Sequence, residues 1–107
     1  MNRTETLRAK MLRRALLLAL RTIQVGSSEG WANERMAFHC VRSLEDYGLA
    51  EVQEELRYLA GKAYLEARDL RADKYSPPNL SYRLLPRGRD LLDGSIAADP
   101  GVEDPRA

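Results

Sequence analysis

The sequence predicts an α+β domain: a three-helix body, a two-stranded β hairpin and a short closing helix. Three observations carry that expectation. Val52, Leu56, Leu59 and Ala60 fall at helical spacing on an otherwise charged cylinder. Beyond Gly61 the period changes to two, with Ala63, Leu65 and Ala67 alternating with Tyr64, Glu66 and Arg68 as in a half-buried strand. Leu80, Tyr82 and Leu84 then repeat the alternation after an irregular connection.

A chain of 107 residues with 44% hydrophobic content holds one domain with a small core. The Leu-rich run from Ala15 to Leu20 is short and closed by Arg21, and no small-residue cleavage site follows, so it reads as part of a helix rather than as a secretory signal. No uncharged apolar run is long enough to span a bilayer. The single cysteine, Cys40, excludes an internal disulfide framework and predicts a reducing, cytoplasmic setting. The formal net charge of +1 is unevenly spread. Residues 1–25 carry six basic side chains against Glu5 alone, residues 26–60 three against seven acidic ones, and residues 61–93 seven against five. Basic ends can meet phosphates, whereas an acidic middle resists them.

The first helix is expected from about Thr4 to Gln24, with Thr4 as its N-cap and Glu5 in the first turn. Leu12, Leu16, Ala19, Leu20 and Ile23 form one stripe, and Leu7, Met11, Ala15 and Leu18 a second beside it. Two stripes are more than a small core normally takes. The second is either further core or the interface of a homodimer built on this helix. Residues 26–30 form a turn by composition. Trp31-Ala32 gives a brief strand that pairs with the later hairpin, or Trp31 caps the core beside the second helix. That helix starts at its N-cap Asn33 and ends near Tyr47-Gly48, burying Met36, Ala37, Cys40, Val41 and Leu44.

Leu49-Ala50 makes a tight turn into a third helix, Ala50 to Ala60, which Gly61 ends by reaching the left-handed conformation. A strand from Ala63 to Leu70, a loop with Pro77 and Pro78, and a strand from Leu80 to Leu84 complete the hairpin. Pro86 opens a last helix that buries Leu91 and Leu92 and stops at Gly94. Residues 95–107 are expected to be an irregular tail, lying on the surface or docking through Ile96 and Val102.

Two stretches resemble the winged helix-turn-helix superfamily. Leu56-Arg-Tyr-Leu-Ala-Gly-Lys-Ala-Tyr-Leu65 is similar to the passage joining the third helix to the first wing strand, and Leu80-Ser-Tyr-Arg-Leu-Leu-Pro-Arg-Gly-Arg-Asp-Leu-Leu-Asp-Gly94 to the passage closing the wing. The resemblance implies a winged-helix domain over residues 1–94. A narrower resemblance, to small proteins encoded near the packaging genes of Mu-like phages and prophages, rests on length, the Arg- and Leu-rich first helix and Pro100-Gly101-Val102, although Glu103-Asp104 stands where a basic residue is expected.

In a winged helix bound to double-stranded DNA, the third helix enters the major groove and the wing meets the backbone. Here the outward side of that helix would be Glu51, Gln53, Glu54, Arg57 and Tyr58. Gln53 and Arg57 are base-reading types, suited to adenine and guanine. Lys62, Arg68, Arg71, Lys74 and Arg83 would hold phosphates, with Arg87 and Arg89 beside them. The glutamates oppose this, and leave open a second class of function: a non-catalytic protein-interaction module, such as a phage assembly accessory, docking through an acidic third helix. His39 has no second ligand at metal spacing. The sequence holds no paired carboxylates at workable spacing, Ser/His/Asp set or Gly-rich phosphate loop, so neither an enzyme nor a cofactor protein is expected.

Overall fold

In the computed structural model, residues 6–26 and 29–105 are described. Four helices and a three-stranded antiparallel sheet follow the order α1 (Leu7–Gly26), β1 (Ala32–Asn33), α2 (Glu34–Val41), α3 (Leu49–Gly61), β2 (Leu65–Asp69), β3 (Leu80–Leu84) and α4 (Pro86–Asp93). β3 is central in the sheet, flanked by β1 and β2. The core lies where α1, α2, α3 and α4 cover the inner sheet face, around Leu12, Leu16, Leu20, Val52, Leu56, Leu59 and Tyr82. No helix among the described residues is long and apolar enough to cross a membrane.

The expected cap at Thr4, and Ser27 and Ser28 of the expected 26–30 turn, lie outside the described residues, while Gly26 is the last residue of α1. Thr6 Oγ1 accepts the Ala9 N–H at 3.2 Å, satisfying one orphan donor of the first turn of α1. Leu17, on neither expected stripe, is fully buried between Leu16 and Leu20. β1 falls one residue later than expected, pairing Ala32 with Tyr82 and Asn33 with Ser81. Asn33 caps α2 as expected, its Oδ1 accepting the Met36 N–H at 2.8 Å.

Helix α2 stops at Val41 rather than near Tyr47. Beyond it the chain turns, with Leu44 N–H bonded to Val41 O and Tyr47 N–H to Glu45 O. The bend swings Tyr47 into the core and leaves Glu45 and Asp46 in solvent. In so short a helix one row faces inward, Ala37 and Val41. Met36, Cys40 and Leu44 are exposed, so Cys40 is no core residue. Leu44 is 66% exposed, which a continued helix packed on the core would not tolerate.

The hand-over after α3 also differs from expectation. Gly61 is the last helical residue. The left-handed residue is Ala63, at φ 64°. Tyr64 N–H bonds Leu59 O and Ala63 N–H bonds Ala60 O, the paired closure of a Schellman end. The shift puts Tyr64 in the core and Ala63 in solvent, opposite to the expected faces, while Leu65 is buried as expected and Ala67, on the same face opposite Tyr82, is exposed. β2 is accordingly shorter than predicted, while β3 and α4 occupy the predicted residues. Gly88 lets α4 lie against the arm, since a Cβ there would sit 2.5 Å from Tyr64 O.

The described part of the tail, residues 95–105, has no helix or strand but is docked. Val102 is buried in the core cluster and Ile96 packs on it. Arg13 donates to Gly101 O at 2.8 Å and Glu103 N–H to Lys10 O at 3.2 Å, which ties the tail along α1.

Candidate nucleic-acid interface

The hairpin projects as an arm, and its own carboxylates organise it. Asp69 Oδ1 accepts the backbone N–H groups of Arg71 and Asn79, clamping the two ends of the loop. Asp73 Oδ1 accepts from Tyr75 N–H, Ser76 N–H and Ser76 Oγ, closing the turn at the tip. Those bonds hold both carboxyls below the usual carboxylate range. The acids order the loop while remaining exposed, and the tip also presents Arg71, Lys74 and the 85% exposed Tyr75. Arg71 also reaches Asp69 at 3.1 Å, and Lys74 lies over the Tyr75 ring.

On the outer sheet face the register brings three predicted or candidate groups together. Glu66 pairs with Arg83 and Arg68 with Ser81 across β2–β3. One step before Ala32, Trp31 lies beside them, with the Arg68 guanidinium 4.0 Å and the Arg83 guanidinium 4.8 Å from its ring centroid. Arg83 Nε also donates to Glu66 at 2.6 Å. Trp31 thus does not cap the core. It is a half-buried platform for two arginines, and stacking of this kind holds a guanidinium without consuming its N–H donors.

The helix-α3 residues are brought to the same side less completely. Arg57 is exposed, close enough to the arm base for its charge to act on Tyr82, whose hydroxyl burial and Glu34 push up and Arg57 draws down. Gln53 is half-buried and donates to Glu34 Oε1 at 3.3 Å. Glu51 is bound by Arg8 at 2.6 Å, Glu54 is exposed, and Tyr58 is half-buried. Lys62 stands apart at the arm base, 3.5 Å from Asp99 Oδ2. The seven predicted contacts therefore divide by place into a tip pair (Arg71, Lys74), an outer-face pair (Arg68, Arg83), Arg57 near the arm base, Gln53 beside Glu34 and Lys62 beside Asp99, with Arg71 and Arg83 also paired to Asp69 and Glu66.

Sequence reasoning missed two clusters. Arg13 is 1% exposed, its Nε 2.9 Å from Glu55 Oε1 and its guanidinium 3.6 Å from the Tyr58 ring centroid. Tyr64 donates to Asp99 Oδ2 at 2.6 Å, and burial together with that carboxylate pushes its hydroxyl up to about 12. Burial works against ionisation of Asp99, but the bonds from Tyr64, Gly101 N–H and Lys62 outweigh it and hold the carboxyl below the usual range. Neither cluster leaves a local sequence signal, because the partners are far apart in the chain.

The predicted interface residues of α1 line an open side of the body. Leu7 is 63% exposed and Met11 is exposed, while Ala15 and Leu18 pack on the core only in part. Among the described residues no group of three or more His, Cys, Asp or Glu side chains is placed to hold a metal ion. With the geometry in view, comparison gives no relative: no family model, curated protein or solved structure matches the chain.

Proposed function

We propose that the chain is a winged helix-turn-helix protein that binds double-stranded DNA chiefly through its β arm, acting as a small cytoplasmic regulator in a bacterium or prophage. The observation carrying this reading is the division of labour in the arm. Asp69 and Asp73 fix the loop through backbone N–H groups, and the arm so ordered displays Arg71 and Lys74 at its tip and Arg68 and Arg83 on its outer face, four cations against Glu66, Asp69 and Asp73. Phosphate neutralisation by such cations supplies most non-specific affinity. Arg57 is the α3 side chain available to a base edge, with Arg68 and Arg83 pre-ordered on Trp31.

A mobility-shift titration of the whole chain on random duplex DNA at about 50 mM salt tests this reading. The wild type should bind with a strong salt dependence. Changing Arg71 and Lys74 together to Glu should lower the salt slope by roughly two or more, one phosphate contact per cation. Absence of binding at that salt, or an unchanged slope in the double variant, refutes DNA recognition by the arm.

A specific observation favours the second reading, a protein-interaction module. Gln53 is already bonded to Glu34, and exposed Glu54 sits where a base-reading helix would meet phosphates. A basic protein partner retained after nuclease treatment, and lost in Glu54→Lys, would replace the DNA reading with that one.

A further inference from the structure

Helix α1 and the segment from α2 to Tyr47 enclose an open, mainly apolar groove of about 530 Å³. Met11, Ala15, Leu18 and Ile23 form one wall, with Cys40 and Leu44 opposite. We infer that this groove is occupied by the same groove of a second copy of the chain, related by a two-fold axis. The inference stands on the groove alone and is independent of the DNA reading.

Three features select a second copy as the occupant. The first is shape. Met11, Ala15, Leu18 and Thr22 succeed one another at i, i+4, i+7 and i+11, a single row along α1. The surface therefore carries a ridge beside a furrow. Two such surfaces, turned about a two-fold axis, put each ridge in the other's furrow, as an isologous interface requires. Ala15 in the row and Ala19 beside it are small, so the two helices can approach closely. The second feature is charge. The rim holds Arg14 together with Glu45 and Glu103. Across a two-fold axis each Arg14 can face a carboxylate of the other copy, twice over, whereas a nucleic acid or a strongly acidic peptide brings no cation to meet Glu45 and Glu103. With a net charge of +1, two copies meet no long-range repulsion. The third is exposure. Leu7 and Leu44, each more than 60% exposed, stand beside the apolar lining. Contiguous exposed apolar surface of this kind marks an interaction site.

The tail has a part in this surface. Glu103 is held to α1 through Lys10 O, and so the docked tail contributes a wall of the groove. The predicted interface of Leu7, Met11, Ala15 and Leu18 is thereby extended to Cys40, Leu44 and the tail.

The test is sedimentation of the full chain from about 1 to 200 μM, where mass action makes a dimer concentration-dependent. The expected result is passage from the 12.1 kDa chain to a species of twice that mass. Leu44→Glu should raise the dissociation constant by about 100-fold or more, since it buries an unpaired charge. Its circular-dichroism spectrum should be unchanged, because the side chain is mostly in solvent in the monomer. Leu18→Glu should act in the same direction, and Leu44→Glu carries the test if that variant does not fold. Cys40, the one thiol in the chain, reports occupancy directly: its maleimide labelling should slow as wild-type dimer forms and stay fast in Leu44→Glu. A monomer throughout the range overturns the inference, including one that binds an apolar dye in the groove. A dimer insensitive to Leu44→Glu, or an open-ended ladder of larger species, overturns it as well.

Discussion

Helix α1 has two unlike sides. Toward α3 and the tail it buries a cation, Arg13, at 1% exposure, while toward the α2 side it leaves Leu7 and Met11 in solvent. A reading by hydropathy ranks these residues in the opposite order. The difference teaches that burial here is decided by available partners. Arg13 finds a carboxylate, an aromatic face and a backbone carbonyl, which together replace the hydration it loses. Among the described residues, no apolar neighbour covers Leu7 and Met11. The closed side is thus held by polar chemistry and the open side is apolar.

The largest expected effect comes from breaking the closed side. Glu55→Gln or Arg13→Met alone leaves a buried charge without its opposite, which typically costs about 3–5 kcal/mol. A domain with roughly 5–15 kcal/mol in total would be near unfolding. Urea denaturation measures it. Combining Arg13→Met with Glu55→Leu should recover much of the loss, because a packed apolar pair of similar volume often equals a buried ion pair. A cost below about 1 kcal/mol for both single variants would put Arg13 on the same footing as a surface cation and dissolve the contrast.

That pair also marks where the sequence stops being legible. Local punctuation reads well. Pro86 and Gly94 bound α4, Asn33 caps α2, and the Leu80–Tyr82–Leu84 alternation defines β3, each through residues within a turn or a strand of one another. Arg13 lies 42 residues from Glu55 and 88 from Gly101, so only the folded chain brings them together. Leu44 is expected inside only if the helix continues, and the bend after Val41 breaks that periodicity, whereas Cys40 lies within α2 and is exposed because the Ala37–Val41 row alone faces inward. In the candidate interface, residue type selected the basic residues of the arm. The stacking of Arg68 and Arg83 on Trp31 depends on β1 joining the sheet in one register, which two residues of strand cannot announce.

A middle-sized effect probes the lower closure of the same side, Tyr64 with Asp99. Tyr64→Phe removes a hydrogen bond to a charged group, worth about 1.5–3 kcal/mol. The pH dependence follows from the shifts. Asp99, held below its ordinary value, contributes fully above about pH 4 and loses that contribution as pH falls through the lowered value. Tyr64, raised to about 12, contributes fully below about pH 10 and loses it as pH climbs toward 12. Thermal melts across pH should therefore show a plateau with two shoulders, and Tyr64→Phe should flatten the alkaline one. Equal alkaline loss in the variant would assign that limb to another group.

The smallest effect has the opposite sign and tests how Tyr64 reaches the closed side at all. The ends of α3 and α4 are closed alike: Tyr64 N–H reaches back to Leu59 O, and Ser95 N–H to Asp90 O. The left-handed residue is Gly94 in one and Ala63 in the other. A Cβ in that conformation crowds the following carbonyl, at about 1–2 kcal/mol. Ala63→Gly relieves this but gives the unfolded chain more freedom, which returns about 0.5–1 kcal/mol. The net expectation is a stabilisation of about 0.5–1 kcal/mol, read as a higher urea midpoint at unchanged slope. Gly61→Ala should also stabilise slightly, because a helical position prefers alanine. If the two substitutions instead behaved in the opposite sense, the hand-over would sit at Gly61. Tyr64 would then face solvent, and the tail would lose the side chain that fastens Asp99.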